Sequence, residues 1–411
     1  MSLARLPLLL LAVLAAGCDS QGPGSAETDP TPISLSPLGE DLVGQSNAFG
    51  VRLFARTAAE TDENVMLSPL SASVALTMLL NGADGQTRAQ ILALLDAPDG
   101  ADPAAVNESH RVLRDQLLAA DPEVSLALAN AVFYRDTFGP SVRAPFLEAM
   151  RGPFAARVEG LDFGSPAALE AINGWASAST AGRVPTVLDE LSPDLVMALL
   201  NAVYFKGTWT TQFDPADTRP GDFHLAGGQT VQTPMMWGTV PALTVQGDGY
   251  SALELPYGRR NFSFVVMMPD EGTLGDFAAG LEAGTWTDVA ARLDAHQAWG
   301  DVLVALPRFS FSSETVLNSQ LQALGMVDAF QEGVANLSRI SEDSRIVVST
   351  VKQDAFIDVN EEGTEAAAVT TVEIVDTSAG PGFVADRPFV FAIRERTTNT
   401  LLFIGQLTDP S

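Results

Sequence analysis

The chain has 411 residues, with 23 Lys plus Arg against 51 Asp plus Glu, a formal charge of -28. So acidic a surface repels phosphate backbones, which excludes nucleic-acid binding as a first reading. The 46% hydrophobic content supplies a large core and excludes global disorder, while three His and one Cys are too few and too scattered for a zinc site.

The N-terminus carries its own signal. Arg5 precedes an apolar run from Leu6 to Leu14, and small residues lead to the single Cys. That is a secretory signal, too short to span a bilayer as a mature anchor. Leu14-Ala15-Ala16-Gly17-Cys18 resembles a bacterial lipobox, with Ala15 where Leu is commoner. The expectation is a signal peptide over 1–17, lipid on Cys18 and attachment to a membrane through it; an ordinary signal peptide is the rival reading. Asp19 hints at retention at the inner membrane in some Gram-negative bacteria. The expected location is an exported lipoprotein of the periplasm or cell surface, or an extracellular protein if released. Residues 18–42, rich in Gly, Pro, Ser and acidic side chains at first, read as a flexible tether.

From about 43 to 411 the pattern is continuous, with no second linker and no repeat, so one large domain is expected. Ser68-Pro69 starts a helix that Gly82 ends. Residues 126–134 and 197–206 are near-continuous apolar runs, as buried strands would be. Residues 97–108 read as a surface loop. Phe262–Met268 stops at Pro269, Val302–Phe309 alternates, and Phe389–Ile393 with Leu401–Gln406 flank a hairpin turn. Early helices and late strands that do not alternate indicate an α+β fold.

Residues 350–360 read as a strand, and a long segment, 361–388, follows it. Loops of that length inside a compact domain are usually functional. Thr364, Ala366, Ala368, Thr370, Val372 and Ile374 are small or apolar, and they alternate with positions that include Glu365, Thr371 and Glu373. Period two is a strand signature, so the segment can be written both as a loop and as a strand. The plainer alternative is an edge strand followed by a loose connection.

Val359-Asn360-Glu361-Glu362-Gly363-Thr364-Glu365-Ala366-Ala367-Ala368 resembles the hinge of an inhibitory serpin. Asn64–Ser71, Asn130–Phe133, Asn173-Gly174-Trp175, Leu200–Trp209, Pro307-Arg308-Phe309, Leu324-Gly325-Met326, Arg387-Pro388-Phe389 and Phe403-Ile404-Gly405 resemble other serpin signatures in the same order. The resemblance implies three β-sheets with surrounding helices and an exposed reactive loop at about 361–387. It implies a suicide inhibitor of serine or cysteine proteases, not an enzyme. A cleaved loop would insert into the main sheet and trap the acyl-enzyme.

In that frame Glu361, Gly363, Thr364, Ala366, Ala367 and Ala368 form the hinge, and the reactive bond joins Thr377 to Ser378. Val375 and Asp376 are the alternative cleavage residues. Thr377 or Val375 suits an elastase- or subtilisin-like target, Asp376 a caspase-like one. Ser68, Ser71 and Asn201 correspond to a polar cluster where the sheet opens, and Trp209 to the residue packed where the loop enters. Gln353 stands where the family usually has a titratable His, and Val369 is bulkier than in fast inhibitors. The partners implied are the target protease and the lipid's membrane. No cofactor or heparin-like ligand is expected, since Arg259-Arg260 is the only basic doublet near a strand end, and the chain is expected to be a monomer. No G-x-S-x-G or H-E-x-x-H occurs to support a hydrolase. The rival reading is a non-inhibitory serpin acting as a chaperone or ligand carrier.

Overall fold

The computed structural model describes residues 30–98, 100–270, 273–296, 298–343, 345–364 and 382–411. Within them the helices are α1 Pro37–Ala58, α2 Pro69–Leu80, α3 Gly85–Leu94, α4 Pro103–Ala119, α5 Ala144–Arg151, α6 Pro166–Ser179, α7 Leu274–Ala279, α8 Ala283–Asp294 and α9 Asn318–Ala323. The first strands are β1 Val65–Leu67, β2 Val124–Arg135, β3 Arg157–Leu161, β4 Met197–Thr208, β5 Arg219–His224, β6 Thr230–Gln246, β7 Tyr250–Tyr257 and β8 Phe262–Pro269. They are followed by β9 Gly300–Pro307, β10 Phe309–Val316, β11 Lys352–Asn360, β12 Gly363–Thr364, β13 Phe383–Val384, β14 Phe389–Glu395 and β15 Thr400–Leu407.

Local chemistry sets the helix starts. Ser68 and Ser36 each cap a helix with Pro at the first turn, their hydroxyls accepting from Ser71 N and Gly39 N. The Ser36-Pro37 cap means that the domain's first helix begins at Pro37, so the segment expected to be tether up to residue 42 is helical in its last turn and a half. Residues 30–36 ahead of it are docked on the fold rather than loose.

The strands form two hydrogen-bonded paths. One runs β1-β15-β14-β8-β7-β6-β9-β13, with β5 beside β6. The other, the main sheet, runs β10-β11-β12-β4-β2-β3. Where three sheets are expected, the long strand β6 merges two of them: residues 235–242 pair with β9 and residues 243–246 with β7. Two further expectations shift. The alternating run at 302–309 is two strands broken at Arg308, whose amide donates to Pro234 O. The apolar runs in β2 and β4 are strands, but largely half-buried rather than enclosed.

Two large apolar clusters fill the body. One lies around Phe49, Phe54, Met78 and Trp286, the other around Trp209, Tyr257, Phe264 and Phe391. The second sits directly beneath the end of β4 where β12 enters.

Candidate functional site: the hinge and the split main sheet

The hinge leaves β11 through the turn Glu361-Glu362 and folds straight back into the sheet. Gly363 and Thr364 pair antiparallel with Asn360 and Val359 of β11 on one side, and with Thr208 and Gly207 of β4 on the other. Only glycine fits at 363. Its φ is +152°, and a Cβ there would collide with the Gly207 carbonyl oxygen and the backbone of Thr208. A side chain at Gly207 would in turn strike the rings of Phe205 and Tyr257.

Thr364 is 2% exposed, and its hydroxyl shares a 2.6 Å hydrogen bond with the Tyr257 hydroxyl. Burial pushes the Tyr257 pKa far up, so this phenol stays protonated and available to that bond. Trp209 stacks on the Tyr257 ring at 4.5 Å and 8°. Its indole donates to Asn360 O at 2.9 Å, and its backbone amide donates to Glu362 O at 2.9 Å. Phe213 N donates to Glu361 O, also at 2.9 Å. The Glu361 carboxylate is buried, accepts from Thr218 Oγ1 at 2.7 Å and stands 3.6 Å from Arg308. The hinge end is therefore held by main-chain bonds from the segment after β4, with one carboxylate as anchor.

Away from the hinge end the sheet is split. Among the described residues β4 and β11 are joined only through β12, and a cavity of about 330 Å³ opens between them, lined by Leu199, Asn201, Ala202, Gln353 and Ser71 among others. Ser68, Ser71 and Gln353 lie together beneath the split, all buried. Gln353 makes a two-point clamp on the start of α2: Ser68 N donates to its Oε1 at 2.8 Å, and its Nε2 donates to Ser68 O at 3.0 Å. Asn201 lines the same cavity from β4 but does not bond to these three. It donates to Asn130 Oδ1 at 2.6 Å, and its own Oδ1 is buried with no hydrogen-bond partner among the described residues. A buried acceptor left unmade costs about 1–3 kcal/mol, so it marks a place where a donor would be gained.

The structure thus brings together Glu361, Gly363, Thr364 and Trp209 at the hinge, and Ser68, Ser71, Gln353 and Asn201 at the split. Ala366, Ala367, Ala368, Thr377, Ser378 and Cys18 lie outside the described residues. Tyr257, Thr218, Arg308 and Asn130 belong to the site although sequence reasoning gives them no role. Pro256-Tyr257-Gly258 at a strand end is the one local signal for the first of them.

The profile of the serpin (serine protease inhibitor) family matches residues 44–410. The chain belongs to the serpin family. It is 31% identical over 397 residues to the glia-derived nexin of Rattus norvegicus, spanning 92% of this chain and 94% of the relative. Among solved structures it is similar to the thermophilic serpin tengpin in the native state, with TM-score 0.81 and 27% identity over 93% of this chain and 97% of that one. It is also similar to thyroxine-binding globulin in complex with thyroxine, with TM-score 0.78 and 26% identity over 90% and 100% of the two chains.

Proposed function

We propose that this serpin is a suicide inhibitor of serine proteases, with an elastase- or subtilisin-like enzyme as target. The observation that carries the proposal is the main sheet: it is split between β4 and β11, and the hinge residues Gly363 and Thr364 already sit in the split in strand geometry.

Continuing that register gives the inserted loop specific neighbours. Ala366 would stand between Phe205 and Ile357, and Ala368 between Val203 and Ala355, so small side chains enter beside apolar neighbours on both strands. Thr370 would stand between Asn201 and Gln353, where its hydroxyl can donate to the unpaired Asn201 Oδ1. Ile374 would reach Met197, the first residue of β4. From Thr364 to Ile374 the new strand covers roughly 33 Å at about 3.3 Å per residue. A protease acylated at Thr377 would be carried at least that far from its docking site. Every newly inserted backbone N–H and C=O would gain a partner, which supplies the driving force.

Membrane attachment through a lipid on Cys18 is part of the same proposal, and it places the inhibitor on an exported surface. A non-inhibitory role such as ligand carriage would need none of these register matches. The test is incubation with elastase-, subtilisin-, trypsin- and papain-like proteases, read on a denaturing gel. A covalent band shifted by the mass of an elastase- or subtilisin-like protease is the expected result. Clean cleavage by every protease without any such band would overturn the proposal.

A further inference from the structure

Residues 31–34 are gripped by their main chain. Asn261, fully buried, accepts from Thr31 N at 2.8 Å through Oδ1 and donates to Thr31 O at 2.7 Å through Nδ2. Gln116 on α4 repeats the arrangement, accepting from Ser34 N at 2.9 Å and donating to Ser34 O at 2.7 Å. Between them Ile33 N donates to Thr397 Oγ1 at 3.0 Å. Ile33 and Leu35 pack against the apolar cluster that holds Trp209 and Tyr257. Two side-chain amides each reading both the N–H and the C=O of one residue form the same pattern a neighbouring strand would offer.

The turn that carries Asn261 is a junction. Gly258 N donates to Thr208 O at 2.8 Å, and Thr210 donates back through its amide to Pro256 O and through its hydroxyl to Gly258 O. Arg259 N donates to the buried Asp121 carboxylate, which also accepts from Glu123 N at the start of β2. Arg396 N donates to Asn261 O at 2.7 Å. The turn thus ties the end of β4 to the α4–β2 connection, to the β14–β15 hairpin and to residues 31–34. Tyr257, which receives Thr364, is the last residue of β7 and leads directly into the turn.

We infer that residues 31–34 form a clasp that steadies the turn 258–261, and through it the end of β4 and the hinge, with Asn261 and Gln116 as its positioning residues. The inference builds on the loop-insertion reading. A cut that removes residues ahead of Pro30 leaves the clasp in place, whereas a cut within 31–36 releases it and loosens the end of β4 from which the sheet opens.

The test is amide hydrogen exchange on the full, uncleaved chain, comparing wild type with the double variant Thr31→Pro, Ser34→Pro. Proline removes both strap donors at positions outside the core. The expected result is exchange about tenfold faster at Gly258, Arg259 and Trp209, with the amides of β8 unchanged as the control for folding; about one decade corresponds to losing two modest hydrogen bonds. Gln116→Ala should move the same amides in the same direction by less. Exchange at Gly258, Arg259 and Trp209 equal to wild type in both variants, with faster exchange confined to residues 33–36, would overturn the inference. No protease is present, so a chain that exchanges as expected yet forms no covalent band would keep the clasp and lose the inhibitory reading.

Discussion

Thr364→Arg should convert the inhibitor into a substrate. Thr364 is 2% exposed and lies against the Tyr257 hydroxyl, in the cluster of Trp209, Phe205 and Phe264. Among the described residues, no carboxylate is bonded to Thr364 or Tyr257 that could pair with an arginine there. An unpaired buried charge costs about 3–5 kcal/mol. In the uncleaved protein the variant can escape that cost by withdrawing residues 363–364, giving up the Tyr257 hydrogen bond and the short pairing with β11 and β4 at about 1 kcal/mol per bond. During insertion there is no such escape. A barrier raised by about 3 kcal/mol slows insertion on the order of a hundredfold. Deacylation then outruns insertion, while docking and first cleavage, set around Thr377, stay close to wild type. The assay is the ratio of covalent complex to cleaved chain against one protease, with Thr364→Ser as the control that keeps the hydroxyl. Equal complex yield from Thr364→Arg and wild type would refute the reasoning.

Three further outcomes are expected. Gly363→Ala, which adds a Cβ at φ +152° against the Gly207 carbonyl, should cost about 1–3 kcal/mol in the threaded state and lower complex yield; unchanged midpoint and yield would show the hinge does not thread as described. Thr377→Arg should move inhibition toward trypsin-like proteases, and mass spectrometry of the wild-type C-terminal fragment should find it starting at Ser378. His110, buried against Phe154 and bonded to Thr77 Oγ1, has its pKa lowered to about 4 by desolvation. The unfolded chain takes up that proton first as pH falls from about 6.5, so stability present above 6.5 is lost down to about 4, by roughly 3 kcal/mol. Denaturant titrations should show that slope flattened in His110→Gln, and an identical slope would contradict it.

Much of this arrangement is legible in the sequence because it is local. Ser68-Pro69 announces a capped helix, the two apolar runs announce β2 and β4, and RERTTNT announces the β14–β15 turn. The order of the serpin signatures carries the rest of the fold. What stays hidden is long-range. Ser36-Pro37 repeats the helix-start signal of Ser68-Pro69, yet the acidic, Pro-rich context makes it read as tether until the bonds of Thr31 to Asn261 and of Ser34 to Gln116 are seen. Tyr257 gains its role only from a residue 107 positions later in the chain. Asn201 and Gln353 both line the split, but the bond from Asn201 to Asn130 and the clamp of Gln353 on Ser68 depend on strand register. An amide at 353 also removes a group that would titrate near neutral pH, which is consistent with an opening step indifferent to pH in that range.

The central claim is that the uncleaved fold is less stable than the same chain with its loop inserted. A single cut between residues 370 and 380, made by a protease that is not trapped, followed by calorimetry of both forms, tests it most directly. The expected result is a large rise in thermal midpoint after cleavage, as the split between β4 and β11 is filled along its length. An unchanged or lower midpoint after a clean single cut would contradict it.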